Sequence, residues 1–267
     1  WSIGTIVAGF GIYLLTLIAP NIFTNKILLQ LFCLLGYTSV FFVLKMSKQE
    51  EVGEKSIGFN QQFYQYNWKA IAKVVLPTLM IAIGAGLTIP FMNLFFYHVF
   101  GIDADLFSLL GSLTSIVVAA AALLVPIIKY RFGYEAITVT QTLAVIALFL
   151  LGSTDFLSHY SIAIYLAIFC YIIRQPLMNL ANPMTSEMSM YYVGKNNQEI
   201  VAAINSSVWS GSWFISAQIF RWLRESLELR YGYVFYLTAA FYMVGVLIYF
   251  LLIKDFRRKE KAGLIKR

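Results

Sequence analysis

Charge is what this sequence has least of. Only 12% of its 267 residues are Asp, Glu, Lys or Arg, against about 25% in soluble domains, which excludes a water-soluble globule. Cysteine is almost as scarce. Cys33 and Cys170 both fall inside apolar runs, where packing is a simpler explanation than a disulfide or a metal site. The two histidines, His98 and His159, make no H-E-x-x-H pair. No G-x-x-x-x-G-K-[ST] loop is present to cradle a nucleotide phosphate. Asp103 and Asp105 are too few to hold Mg²⁺ and a pyrophosphate. These absences predict no enzyme, no metal and no cofactor.

Apolar residues dominate instead: 60% of the chain is hydrophobic and 16% aromatic, with a mean hydropathy of +0.73. Apolar runs of about 17–25 residues mark membrane helices. They predict an all-α integral membrane protein with eight spans, near residues 2–19, 27–45, 71–98, 105–128, 136–153, 161–185, 200–220 and 233–253. The first run has neither a basic flank nor a small-residue cleavage site, so it does not read as a cleavable signal. It opens at Trp1 inside apolar sequence, so further helices are expected before it.

Four regions follow. Residues 1–45 form a pair of helices, and 46–70 form a polar linker with Lys48, Glu50, Glu51, Glu54 and Lys55. Residues 71–253 form a six-helix bundle, and 254–267 a basic tail. The stretch from Tyr66 to Lys73, with Trp68 and Lys69, reads as the start of a surface-lying helix. The net charge of +7 belongs to loops on one side of a membrane rather than to a nucleic-acid surface. Lys45, Lys48, Lys55, Lys69, Lys73, Lys129, Arg131, Lys195 and the tail share that side; Lys26, Arg221, Arg224 and Arg230 share the other. The bias places the linker and the C-terminus in the cytoplasm.

The segment from Tyr171 to Glu187 breaks the apolar pattern with Arg174, Gln175, Asn179 and Asn182 between Pro176 and Pro183. An arginine at mid-bilayer costs about 2.5–3.5 kcal/mol on insertion scales. All thirteen acidic residues fall in loops or at span ends, so none on this segment neutralises it. The partner is then an anionic substrate, a helix before Trp1, a carbonyl freed by Pro176, or cavity water. A structural ion pair or a bland satisfied arginine remain the competing readings. Asn205 and Trp209 in the seventh span, and Thr88 and Asn93 in the third, add further polar groups for a solute cavity, with interhelical hydrogen bonding as the plainer alternative.

The last six spans also suggest three plus three. Pro77, Gly84, Gly86 and Pro90 interrupt the first helix of one triple, and Pro176 and Pro183 the first of the other. Interrupted spans at matching positions point to the binding site of a transporter.

Three stretches resemble the major facilitator superfamily. Pro126-Ile-Ile-Lys-Tyr-Arg-Phe-Gly133 is similar to its P-L-L-A-D-R-F-G-R-R loop, and Ser186-Glu187 with Ala202-Ala-Ile-Asn205 resembles its S-E…R-G-x-A-x-x-x-N signature. The basic tail is the third. Tyr130 replaces the loop aspartate, Tyr134-Glu135 replaces the basic pair, and the R-G dipeptide is absent. The resemblance implies that the eight spans correspond to helices five to twelve of a twelve-helix fold, with Arg131, Gly133 and Glu187 as gating-loop residues.

The expected function is a secondary transporter moving a small organic solute across a bacterial cytoplasmic membrane, with Arg174 favouring an anionic one. Membrane lipid is its other partner, and proton or ion coupling would run through helices preceding Trp1. The alternative is a non-transporting membrane sensor or scaffold with a transporter-like fold.

Overall fold

The computed structural model describes residues 2–18, 25–45 and 66–265, and their regular structure is helical throughout. The helices are α1 (Ser2–Ile18), α2 (Asn25–Lys45), α3 (Trp68–Thr88), α4 (Met92–Phe100), α5 (Ala104–Phe132), α6 (Glu135–Phe156), α7 (Ile162–Val193), α8 (Gln198–Arg221) and α9 (Tyr231–Lys261). Five spans are long and apolar enough to cross a membrane: α3 with α4, then α5, α6, α7 and α9. Leu123, Ile127, Phe169 and Leu251 on these spans are more than half exposed. Apolar side chains turned outward and apolar helices of bilayer length mark an integral membrane protein. Of the eight expected spans, α1 is shorter than a full span, and α8 is diluted by Asn205, Ser206, Ser207, Ser210 and Ser212.

Local chemistry sets the helix ends. The side-chain oxygen of Asn67 accepts from Ala70 N–H at 3.2 Å, an N-cap, so α3 starts at Trp68 and runs directly into the span. Residues 68–73 form the first turns of α3 rather than a helix of their own. Residues 46–65 of the expected linker lie outside the described residues.

The proline expectation is half met. Pro90 sits in the 3₁₀ turn Ile89–Phe91 that separates α3 from α4. Pro176 and Pro183, in contrast, lie inside one continuous 32-residue helix, α7. Each proline deletes one backbone donor. The acceptors left over are the carbonyls of Ile172 and Asn179, four residues back; elsewhere on the helix Asn179 Nδ2 donates to Gln175 O at 2.8 Å and Thr185 Oγ1 to Asn182 O at 2.9 Å. The helix continues to Gly194, which ends it at φ +76°. The three expected gating-loop residues divide between helix and helix end. Glu187 is helical, Arg131 is in the last turn of α5, and only Gly133, at φ +62°, lies beyond a helix end.

Packing repeats under exchange of the two triples. Helix α3 packs on α8 and α9, α7 packs on α5 and α6, and the third helices α6 and α9 pack on each other. Backbones meet closely where glycines face: a Cβ on Gly232 would lie 2.7 Å from the Gly152 carbonyl oxygen. Small residues permit such contacts inside a membrane, where hydrophobic driving force between helices is absent. Ion pairs hold both ends of the α6–α9 pair: Arg230 with Asp155 at 3.2 Å, and Arg257 with Glu135. Helix α1 adds to this bundle along α5.

Candidate functional site

Helix α7 packs on α5 and α6 and presents polar residues on two faces. Tyr171, Gln175 and Asn179, at i, i+4 and i+8, share one face. They line a cleft of about 240 Å³ with Thr5 of α1 and Thr114 and Ser115 of α5. A chamber of about 60 Å³ adjoins it, walled by Tyr171, Arg174, Gln175, Met92 and Phe107.

Arg174 is 1% exposed and lies about 18 Å along α7 from Ile162 at 1.5 Å per residue. Its Nη2 donates to Tyr242 Oη of α9 at 2.9 Å, and its Nη1 to Gln175 Oε1 at 3.4 Å. Nε has no partner. The guanidinium carbon is 5.6 Å from the Tyr242 ring centroid. None of the ion pairs among the described residues includes Arg174. All of its hydrogen-bond partners are therefore neutral. Burying an ion costs several kcal/mol after relaxation, and neutral dipoles offset only part of that.

The other face of α7 borders a second cleft of about 210 Å³. Asn182, Ser186 and Trp209 are exposed at its mouth between α7 and α8. Thr185, Ser189, Gln141 of α6 and Tyr249 of α9 are buried around it, and Thr78 of α3 bonds Tyr249 Oη at 3.1 Å. Gln141, 3% exposed, and Asn205 each have a buried side-chain oxygen without a partner. Asn182 Nδ2 donates to Asn179 Oδ1 at 3.4 Å, which links the two clefts across α7.

The structure thus divides the expected site residues. Arg174, Gln175 and Asn179 belong to the first cleft and its chamber; Asn182, Asn205 and Trp209 belong to the second. Thr88 is fully buried and bonds Thr238 Oγ1 at 2.6 Å, an interhelical hydrogen bond between α3 and α9. Asn93 is exposed on α4 and lines neither cleft. At the basic end of the bundle Glu187 is held by Lys129 at 2.5 Å, while Arg131 is exposed beside the Phe132 ring at 5.5 Å. Sequence reasoning missed two residues, Gln141 and Lys129. The only signal for Gln141 was an amide in the middle of an otherwise apolar span.

No group of three His, Cys, Asp or Glu side chains among the described residues could hold a metal ion. Comparison with family models, with curated proteins and with solved structures returned no match.

Proposed function

We propose that the chain is a secondary transporter of the major facilitator type, moving a small organic anion across a bacterial cytoplasmic membrane by alternating access. The observation that carries this reading is Arg174: a buried, permanently charged side chain on a membrane helix, with neutral partners and an unpaired Nε. An intramembrane ionisable residue of this kind is a functional residue by default. A solute carboxylate would take the place of the missing counter-charge, with Gln175 beside the arginine and Asn179 on the next turn of α7 donating to it. The cleft lies where α1 meets α5 and α7. Rocking the part of the protein that includes α1 and α2 against the α3–α9 bundle would open it to alternate sides.

The repeat in helix packing supports this reading, as does the Lys129–Glu187 tie between the ends of α5 and α7. The basic end faces the cytoplasm on the positive-inside rule. None of the residues lining the clefts is acidic, so proton coupling through a carboxylate would use a group outside these clefts.

A non-transporting sensor or scaffold is the second reading. Its support is the low exposure of Arg174 and its bond to Tyr242, which a static module would also keep. Purified full-length protein in liposomes decides between them. Uptake of small carboxylates that falls at least about tenfold in Arg174→Gln, the effect of losing one charge-assisted contact, supports the anion carrier. Uptake unchanged in that variant removes the role given to Arg174. Saturable binding with no movement of solute points to the sensor.

A further inference from the structure

We infer that the second cleft, bounded by α3, α6, α7, α8 and α9, is a separate binding site for an uncharged, hydroxyl-rich small solute. Its wall contains Gln141 and Asn205, whose amides make no protein hydrogen bond and whose oxygens are buried. A buried polar group without a partner is costly, and native interiors supply one. Two such amides in one wall call for an occupant that hydrogen-bonds both.

The lining chemistry selects the class of occupant. Amides donate and accept through separate atoms, and the hydroxyls of Thr78, Thr185, Ser189 and Tyr249 do both through one. No charged side chain lines the cleft. A carboxylate or phosphate offers acceptors only and would arrive without a counter-charge; an ammonium group offers donors only and would find no carboxylate. Vicinal hydroxyls match the wall, because each both donates and accepts. Ile81 and Trp209 supply apolar surface for the C–H faces of such a molecule. A volume of about 210 Å³ equals the liquid volume of about seven waters. That is far more than a bare alkali cation fills, and it suits a compact polyol or a single sugar ring.

Neither transport nor the charge of Arg174 is needed for this site, so the two readings fail separately. The test is isothermal titration of the purified full-length protein in detergent with erythritol, xylitol, myo-inositol and D-glucose, and with acetate and gluconate as charged counterparts. The expected result is saturable binding of at least one neutral member, weakened about tenfold or more by Gln141→Leu or Asn205→Leu, which corresponds to losing one or two hydrogen bonds. Both variants should melt no lower than wild type, because each removes an unpaired amide. No saturable binding of any neutral solute by the wild type overturns the proposal and leaves a cleft filled only by water. Binding of the same strength in both variants places the solute elsewhere and also overturns it. A preference for acetate or gluconate that the two variants abolish overturns the assigned class. If the Leu variants fail to fold, Thr78→Val and the wild-type titration decide by the same criteria. In liposomes, neutral solute binding with no flux would leave this site standing and remove the transport reading; carboxylate flux without neutral binding would do the reverse.

Discussion

Arg174 of α7 donates to the hydroxyl of Tyr242 of α9 across 2.9 Å, and both side chains are at most 1% exposed. This is the shortest hydrogen bond the buried guanidinium makes to protein. Hydrogen bonds to charged groups contribute about 1.5–3 kcal/mol. Tyr242→Phe should therefore destabilise the fold by about that amount, read as a lower unfolding midpoint in detergent. Arg174→Met combined with Tyr242→Phe removes the buried charge and the hydroxyl it bonds together, and should be closer to neutral than Tyr242→Phe alone. A Tyr242→Phe protein that unfolds with the wild type would show that the bond contributes nothing.

Thr88 and Thr238 offer a cleaner pair. Their hydroxyls are 2.6 Å apart and both residues are fully buried. Each single Val substitution strands the other hydroxyl and should cost about 0.6–2 kcal/mol, whereas the double substitution removes both polar groups and should cost less than the sum. A double-mutant cycle on unfolding free energies measures the coupling; strict additivity would deny the bond any role.

Asp155, 4% exposed, organises the start of α9. One carboxylate oxygen accepts from Gly232 N–H at 2.8 Å, and Arg230 Nη2 donates to the other at 3.2 Å. Asp155→Asn keeps an oxygen for Gly232 and should lose little, because Arg230 is half exposed and such pairs contribute weakly. Asp155→Ala strands the Gly232 amide as well and should cost about 1–3 kcal/mol. Equal effects of the two substitutions, measured as shifts in thermal midpoint, would contradict this ordering.

The α6–α9 contact depends on the absence of side chains. Gly232→Val would press its Cβ against the Gly152 carbonyl and the Phe156 ring, and should destabilise by about 1–3 kcal/mol or more. Gly211→Ala is the control. No neighbouring atom lies within 4 Å of a Cβ there, and alanine is the better helix former by up to about 1 kcal/mol. If Gly211→Ala is the more damaging of the two, the close approach of α6 and α9 is not what holds that pair.

Much of the architecture was legible as hydropathy. Apolar runs coincide with most of the described helices, although α3 and α4 fall within one expected span, and Asn67 and Gly133 mark ends that capping rules recognise. The polar stretch of α7 stood out for the same reason, since Arg174 interrupts a run that is otherwise apolar. Pro176 and Pro183 were misleading. A proline removes a single donor, and the rest of the hydrogen-bond ladder of α7 carries the helix through both positions. Glu187 and Arg131 were expected together in gating loops. The partner that Glu187 meets is Lys129, two residues, or about 200° of helix rotation, before Arg131.

Sequence by itself determined an all-helical membrane chain with several apolar helices of spanning length, and a charged residue for which no nearby acid could compensate. Those properties belong to segments one at a time, because transfer to lipid and backbone hydrogen bonding are satisfied within each helix. Tertiary structure alone decided that Arg174 bonds Tyr242, that Thr88 pairs with Thr238, and that Asn182, Asn205 and Gln141 meet in a cleft apart from the arginine. These are lateral contacts between helices up to 150 residues apart, set by where small residues let backbones approach, and periodicity along one helix does not encode them.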